Sequence, residues 1–207
     1  MSETVASDIK PSTSAKVEKK RAAPLRPAKP SDIDQIHTWL MEAIDSSPFY
    51  NDTFKAFEKG RLTKDYLRQL HDADPAHLML MIREDEPVGF MISGPELGTL
   101  WLYWSYLIPE KRRSTMAMSA MRGFIDYWDN GRFHKIATYT KHGNEPAEAI
   151  MRRFGFKHIC TLEKHVFGED YLLYECTLNK TSQGYDRGIG GGFFSRIKRM
   201  AKRLLGF

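Results

Sequence analysis

Cysteine is scarce in this chain of 207 residues, which contains only Cys160 and Cys176. The two do not form a CxxC pair, and they lack the Cys/His spacing of a zinc site. Two thiols are also too few to hold a small secreted domain together by disulfides. Both fall in segments with the residue pattern of strands. We therefore expect two reduced thiols in the core and no metal site.

Long apolar runs are also missing from the sequence. No segment approaches the ~18 consecutive apolar residues that a membrane-spanning helix needs. The N-terminus has no apolar run of the kind found in a secretory signal peptide. From these two absences we expect the protein to be made and kept in the cytoplasm.

The centre of the chain has no excess of positive charge, although the formal net charge is +5. Residues 1–30 hold seven Lys and Arg against three acids, and residues 179–207 hold seven against one. The segment between them therefore has a formal net charge of −5. Because its basic ends contain no organised base-reading module, we expect no specific nucleic-acid partner.

Composition divides the chain into four parts. Residues 1–22 have almost nothing to bury and predict a disordered basic tail. Residues 23–179 predict one domain, and 180–192 predict a Gly-rich linker. Residues 193–207, FFSRIKRMAKRLLGF, place apolar and basic side chains on opposite faces of a helix. This basic amphipathic helix is too short to span a membrane, and it fits a protein partner, an anionic membrane surface or its own domain.

The spacing of apolar residues predicts the element order βααβββαβαββ. Helical spacing is present from Ser31, over 49–71 with a break at Gly60, over 114–130, and from Asn144 to Gly155. Strand patterns occupy 24–27, 77–82, 88–93, 97–108, 134–141, 157–167 and 170–178. Strand 97–108 has large apolar residues on both faces, which predicts a central place in the sheet.

Two segments carry the strongest signal. Residues 109–117, PEKRRSTMA, follow a strand with a basic turn and the N-cap candidates Ser114 and Thr115. A helix N-terminus beside a basic turn is a favourable site for an anion. Residues 144–156, NEPAEAIMRRFGF, predict a short amphipathic helix that ends at Gly155, with a strand beginning at Phe156.

These segments resemble the coenzyme A binding motifs of the GNAT (Gcn5-related) N-acetyltransferases. The first is similar to R/Q-x-x-G-x-G/A at Arg112 to Ala117. The second is similar to N-x-x-A-x-x-L-Y-x-x-x-G-F at Asn144, Ala147, Ile150, Met151, Gly155 and Phe156. The resemblance covers about residues 24–178. It implies the α/β (α+β) GNAT fold, a mixed and mostly antiparallel sheet flanked by helices, and transfer of acetyl from acetyl-CoA to an amine.

The resemblance also implies which residues bind acetyl-CoA. Backbone N–H groups of Leu107 and Ile108 would polarise the thioester carbonyl, and Asn144 would hold the pantetheine arm. The pyrophosphate cradle would be formed by Arg112, Arg113, Ser114, Thr115, Met116 and Ala117. The cradle segment is alternatively a solvated turn that caps a helix, and Asn144 is equally an N-cap. Two positions depart from the family pattern: Thr115 replaces a glycine, and Met151 replaces a tyrosine that protonates the departing thiolate.

Candidates for acid–base chemistry are few. Strand 97–108 has no Asp or Glu, where many family members place the base. The remaining catalytic candidates are Glu96, Tyr139 and His142, with Tyr103 and Ser105 as further possibilities for the base. In place of Met151, the thiolate would take its proton from Tyr139, Tyr174 or water.

A second hypothesis follows from the same departures. The altered glycine turn and the missing acid and base also fit a GNAT-fold protein that has lost catalysis and serves in assembly, docking through its basic amphipathic helix. Such proteins occur among phage virion components, in which case the chain would be found in a virion.

Overall fold

The computed structural model describes residues 24–112 and 115–180. Seven strands of this part form one sheet: β1 (Leu25–Pro27), β2 (Leu78–Arg83), β3 (Glu86–Glu96), β4 (Thr99–Leu107), β5 (Lys135–Lys141), β6 (Lys157–Val166) and β7 (Glu169–Thr177). Its α-helices are α1 (Ile33–Ser46), α2 (Asp52–Arg61), α3 (Lys64–Ala73), α4 (Met116–Trp128) and α5 (Glu145–Arg153). Several predictions lie outside the described residues: the tail 1–22, the linker 180–192 except Lys180, the helix 193–207, and the site residues Arg113 and Ser114.

The sheet confirms the predicted fold class. Its order is β1-β2-β3-β4-β5-β7-β6, and every neighbouring pair is antiparallel except β4 and β5. Successive residues of β2 belong to different cores: Leu78 and Leu80 pack with α1 and α3, whereas Met79 and Met81 pack with α4. This alternation places helices on both faces of the sheet. β4 lies at the middle of the order, as its residue pattern predicted.

The second helical stretch is two helices, and the predicted break at Gly60 was wrong. Gly60 lies inside α2, and the chain leaves the helix at Leu62 and Thr63. Leu62 is fully buried, and the hydroxyl of Thr63 accepts the N–H of Tyr66 at 3.3 Å to begin α3. A glycine weakens a helix, but it takes a buried anchor and a new N-cap to start another one.

Tight turns connect the strands of two hairpins, β3 with β4 and β6 with β7. Leu97 and Gly98 between β3 and β4, and Phe167 and Gly168 between β6 and β7, all have positive φ. Two consecutive residues with positive φ form the type of turn whose twist matches an antiparallel hairpin. The second turn places Phe167 at the tip of its hairpin.

The two cysteines differ in their surroundings. Cys176 is buried as predicted, but Cys160 is exposed, so its expected place in the core was wrong. β6 is the edge strand of the sheet, and most of its residues on both faces are exposed. A strand pattern therefore located Cys160 on a strand without indicating that nothing covers it. No helix in the described ranges is long and apolar enough to cross a membrane.

Candidate active site

The sheet opens between its two parallel strands. β4 and β5 pair only over Thr99–Trp101 and Lys135–Ala137, although β4 continues to Leu107 and β5 to Lys141. Beyond this short ladder, no strand in the described part of the chain pairs with the backbone groups on the facing edges of β4 and β5. A buried sheet edge must satisfy these groups in another way, and an extended ligand between the strands is one. The opening is therefore the first element of a candidate site.

Side chains from both strands meet where the ladder ends. On the face of α4 and α5, the Thr138 hydroxyl donates to the carbonyl oxygen of Leu102 at 2.9 Å. On the opposite face, the rings of Trp101 and Tyr139 pack with centroids 4.9 Å apart. These contacts bridge the strands at the point where the backbone ladder stops, and they fix where the opening begins.

A β-bulge on β4 shapes the edge of the opening. Ile92 of β3 pairs with Trp104 and Ser93 pairs with Leu102, so Tyr103 has no partner on β3. The Tyr103 ring lies on the backbone of Gly94, where an added Cβ would meet ring atoms at 2.6 Å. Bulges re-aim side chains next to binding sites. Here the bulge turns Tyr103 toward the same face as its neighbour Trp104.

The far end of β4 separates the two predicted carbonyl-binding residues. The N–H of Ile108 donates to the Val88 carbonyl at 3.0 Å, so this group is already used inside the sheet. Leu107 pairs with Gly89, and backbone groups of successive residues point to opposite edges of a strand. The N–H of Leu107 therefore faces the opening. The role predicted for Leu107 fits the hydrogen bonding, whereas the role predicted for Ile108 does not.

Beside this edge lies the described part of the predicted phosphate cradle. Arg112 donates from Nε to the Leu107 carbonyl at 3.0 Å, and its guanidinium carbon lies 5.2 Å from the centroid of the Tyr106 ring. Thr115 is the N-cap of α4, but its side chain makes no capping hydrogen bond. Arg112 keeps further N–H donors that can meet an anion. Met116 and Ala117 lie in the first turn of α4, while Arg113 and Ser114 are outside the described residues.

The predicted second motif folds as a capped helix. The Asn144 side-chain oxygen accepts the N–H of Ala147 at 3.3 Å, which is the N-cap alternative for this residue. At the other end, Phe156 donates to the Met151 carbonyl and Gly155 to that of Arg152, with Gly155 at φ +77°. This is the Schellman pattern of a helix C-terminus. Met151 itself is buried in the core shared with α4.

A cavity of about 380 Å³ lies on the face of the sheet that carries α2. Its walls come from α2 and the residues before it, from β4, from Tyr139 of β5, and from the β6–β7 hairpin. The lining residues are Tyr50, Phe54, Phe57, Glu58, Arg61, Glu96, Trp101, Leu102, Tyr103, Trp104, Tyr139, Val166, Phe167 and Tyr171. Because Trp101, Leu102 and Tyr103 belong to both features, the cavity reaches the opening between β4 and β5.

A buried carboxylate lies in the wall of the cavity. Glu58 is 4% exposed, and Arg61 donates to its two oxygens from Nε at 2.8 Å and from Nη2 at 2.9 Å. Trp104 donates its indole N–H to Oε2 at 2.8 Å. Buried charges persist in proteins when they are paired and hydrogen-bonded in this way. With its oxygens engaged, Glu58 orients Trp104 and Arg61 and is poorly placed to take a proton.

The structure brings some of the predicted catalytic residues together. Glu96 and Tyr139 line the cavity, as does Tyr103. His142 lies in the exposed turn after β5 and does not line it. Ser105 is exposed on β4 outside the lining, and Tyr174 is buried on the α5 face of the sheet.

Several tyrosines that line the cavity have pKa values above the ordinary value of a tyrosine. Burial, helped by the charge of Glu58, raises the pKa of Tyr50 to about 12. Burial and then the neighbouring Glu96 raise the pKa of Tyr139. Burial likewise raises the pKa of Tyr171, with smaller contributions from Tyr50 and Glu58. At neutral pH these phenols are donors of hydrogen bonds and not bases.

Most of this cavity could not be predicted from the sequence. Glu58 and Arg61 are three residues apart on one helix, a spacing usual for an exposed ion pair. Phe54 and Phe57 have the spacing of an ordinary apolar helix face. A further residue, His165, has its ring centroid 5.7 Å from that of Tyr139. The one usable signal was the aromatic content of 49–57, which exceeds what a short exposed helix needs.

Comparison with known proteins identifies the family. The sequence model of the acetyltransferase (GNAT) domain matches residues 24–157, and the chain belongs to this family. No curated protein sequence matches the chain.

Solved structures share the fold at low sequence identity. Ard1 from Thermoplasma volcanium is 14% identical with a TM-score of 0.58, covering 75% of this chain and 97% of its own. A ribosomal-protein-alanine N-acetyltransferase from Brucella melitensis is 18% identical with a TM-score of 0.58, covering 74% and 99%. YncA of Salmonella typhimurium, a putative acetyltransferase solved with its cofactor acetyl-CoA, is 13% identical with a TM-score of 0.62, covering 77% and 96%.

Proposed function

We propose that this protein is a cytoplasmic N-acetyltransferase that moves an acetyl group from acetyl-CoA to a primary amine held in the aromatic cavity. The observation that carries the proposal is the opening between β4 and β5, which the cavity reaches at Leu102 and Tyr103 and which the N–H of Leu107 faces. Arg112, hydrogen-bonded to the Leu107 carbonyl, would meet the phosphates together with the start of α4, and the aromatic cavity would hold the acceptor. Membership of the acetyltransferase family supports the same reaction.

The residues around the opening fit acetyl-CoA. Its thioester supplies the activated acetyl group. The outward N–H of Leu107 is suited to bind a carbonyl oxygen and to stabilise the negative charge that develops there. The Thr140 hydroxyl on β5 is buried and has no hydrogen-bond partner among the described residues. An orphaned buried hydroxyl near the opening is explained if a ligand normally satisfies it.

Glu96 is our choice for the base that takes the proton of the incoming ammonium. It lines the cavity, and its charge raises the pKa of both Tyr103 and Tyr139, after the larger effect of burial. Tyr139 is protonated at neutral pH and serves as a donor that orients the acceptor. With Met151 in place of a tyrosine, we assign the return of a proton to the thiolate to water, because a thiolate is a weak enough base to leave unaided.

The test combines binding and turnover. Coenzyme A and acetyl-CoA should each raise the melting temperature, as mass action requires for a ligand well above its Kd. Release of free thiol should depend on an added amine. Glu96→Gln should lower kcat by about 10²- to 10⁴-fold, the usual contribution of a general base, without changing the affinity for coenzyme A.

Glu86→Gln is the matched control for the base. Glu86 is an exposed carboxylate at the opposite end of β3, so its replacement should leave both kcat and coenzyme A binding unchanged. Equal activity of Glu96→Gln and the parent protein would remove Glu96 from the mechanism. Absence of any thermal shift at millimolar coenzyme A would overturn the proposed reaction.

The second candidate is a GNAT-fold assembly protein without catalysis. It is supported by Met151, which stands where the family motif has the tyrosine that protonates the departing thiolate. The predicted helix 193–207 would then dock on a protein partner or on an anionic membrane. A protein that binds no coenzyme A, and whose association with partner or membrane is lost when residues 188–207 are deleted, would have this function. Unchanged association after that deletion would argue against it.

A further inference from the structure

The acceptor cavity is unusually rich in aromatic rings. Nine of the fourteen described residues that line it are Phe, Tyr or Trp. The inner rings form a continuous wall, with Tyr50 stacked on Phe54 at 4.4 Å and in edge contact with Trp104 at 5.6 Å. Tyr171 closes the wall, 6.2 Å from Phe54. A surface of this kind desolvates an apolar body and offers little to a polar one.

Two exposed rings extend the wall at the mouth of the cavity. Phe57 of α2 and Phe167 at the tip of the β6–β7 hairpin are 52% and 46% exposed, and their ring centroids are 5.5 Å apart. Neither ring is needed to fill the core of the domain. Large exposed apolar side chains that converge on a cavity indicate contact with a ligand.

The charges of the cavity favour a cation. Among the described lining residues, Glu58 and Glu96 are the two carboxylates and Arg61 is the one basic side chain. Both Arg61 nitrogens that reach Glu58 are engaged with that carboxylate. The faces of aromatic rings also attract an ammonium and repel an anion. A carboxylate or phosphate on the acceptor would meet two carboxylates among the described lining residues, where the one cation, Arg61, is already paired with Glu58.

We propose that the acceptor is a primary amine carried on an aromatic or large aliphatic group, with no carboxylate or phosphate beside the amine. This inference rests on the proposed function, because it names the substrate class of the same reaction. The cavity volume of about 380 Å³ suits one such group, within the range of about 300–1,000 Å³ that small-molecule sites have. The same chemistry is presented by a free arylalkylamine and by a peptide whose first residue is Phe or Leu.

The first test compares acceptors that differ in one property. Phenethylamine and phenylalanine amide should each have a kcat/KM at least tenfold higher than phenylalanine, which has the same ring but adds a carboxylate. Both should exceed ethanolamine and spermidine, which lack the apolar body, by a similar factor. A peptide beginning with Phe, set against phenethylamine, distinguishes a protein N-terminus from a free amine as the source.

The second test uses variants at the mouth of the cavity. Phe57→Ala and Phe167→Ala should each raise KM for phenethylamine at least fivefold with little change in kcat, while KM for acetyl-CoA stays the same. Ile159→Ala is the matched control, since Ile159 is 50% exposed on β6 and does not line the cavity. It should leave both KM values unchanged.

Binding of phenethylamine is also measured without turnover, by calorimetry in the presence of coenzyme A. Binding that Phe57→Ala weakens, with no acetyl transfer to any amine, would uphold an apolar amine as the ligand of the cavity and overturn the proposed reaction. Acetyl transfer that prefers spermidine or phenylalanine would overturn the acceptor class and uphold the reaction. An unchanged KM for phenethylamine in both Phe57→Ala and Phe167→Ala would also overturn the acceptor class.

Discussion

At the residue scale, the buried hydroxyls of two threonines on β5 differ in their hydrogen bonding. Thr138 and Thr140 are 6% and 4% exposed, and both belong to the strand edge that leaves the ladder with β4. The Thr138 hydroxyl donates to Leu102, whereas the Thr140 hydroxyl has no partner among the described residues. Valine at either position removes a hydroxyl, which is hydrogen-bonded in Thr138 and has no partner among the described residues in Thr140.

We expect the two substitutions to change the free energy of unfolding with opposite sign. Thr138→Val loses a hydrogen bond and leaves the Leu102 carbonyl unpaired, at a cost of about 1–2 kcal/mol. Thr140→Val removes a hydroxyl that is buried without compensation and should stabilise the protein by up to about 1 kcal/mol. Urea unfolding measures both. A similar loss in the two variants would show that Thr140 makes an internal hydrogen bond.

At the element scale, two glycines in helical segments have different tasks. Gly60 lies inside α2 in an ordinary helical conformation, and an added Cβ there meets nothing within 4 Å. Gly155 ends α5 at φ +77°, where the C-terminal carbonyls are satisfied by the Schellman hydrogen bonds. A side chain at Gly155 is strained by the backbone even though the space around it is open.

Alanine at these two positions should therefore act in opposite directions. Gly60→Ala should stabilise the protein by about 0.5–1 kcal/mol, because alanine restricts the unfolded chain and favours the helix. Gly155→Ala should destabilise it by about 1 kcal/mol, the cost of a left-handed conformation for a residue with a Cβ. Thermal unfolding of the pair decides the matter, and a stabilising Gly155→Ala would contradict the assigned role of that turn.

Elements with a strong internal pattern could be predicted from the sequence, and contacts between distant segments could not. The helix after Asn144 and its stop at Gly155 follow from local capping chemistry, and β4 follows from its run of apolar and aromatic residues. The split near Leu62 depended on burial against the sheet, which no local pattern shows. The cavity was missed for the same reason, because Glu58 and Trp104 are 46 residues apart and meet only in the fold.

At the scale of the whole molecule, the site depends on both layers of the domain. The cavity belongs to the α1–α3 face of the sheet, and the residues proposed to bind acetyl-CoA adjoin the α4–α5 face. The cavity reaches the opening between β4 and β5, and the N–H of Leu107 faces the same opening. The proposed reaction requires the two layers to keep their relative positions. Ion pairs between separate elements therefore help to maintain the site.

Two such ion pairs involve carboxylates with lowered pKa values. Asp74, which follows α3, forms an ion pair with Arg132, which precedes β5, at 2.6 Å. Asp32, which precedes α1, forms an ion pair with Arg26 of β1 at 2.7 Å. Burial works against ionisation of Asp74, but the charge of Arg132 and the N–H of Ala76 outweigh it and lower its pKa. Burial also opposes the charge of Asp32, and its hydrogen bonds to Arg26 and Lys29 outweigh this effect.

These shifts predict how stability changes in acid. A carboxylate whose pKa is lower in the folded state stabilises that state fully above the unfolded pKa of about 4, and the stabilisation is lost as pH falls through the folded value. The free energy of unfolding should thus decrease below about pH 4. Asp74→Asn should remove about 1–3 kcal/mol at pH 7 and make the decrease in acid shallower. Asp65→Asn, which removes an exposed pair with Arg68, should cost less than about 0.5 kcal/mol. Urea titrations from pH 3 to 7 compare the three proteins, and an unchanged acid slope in Asp74→Asn would contradict this assignment.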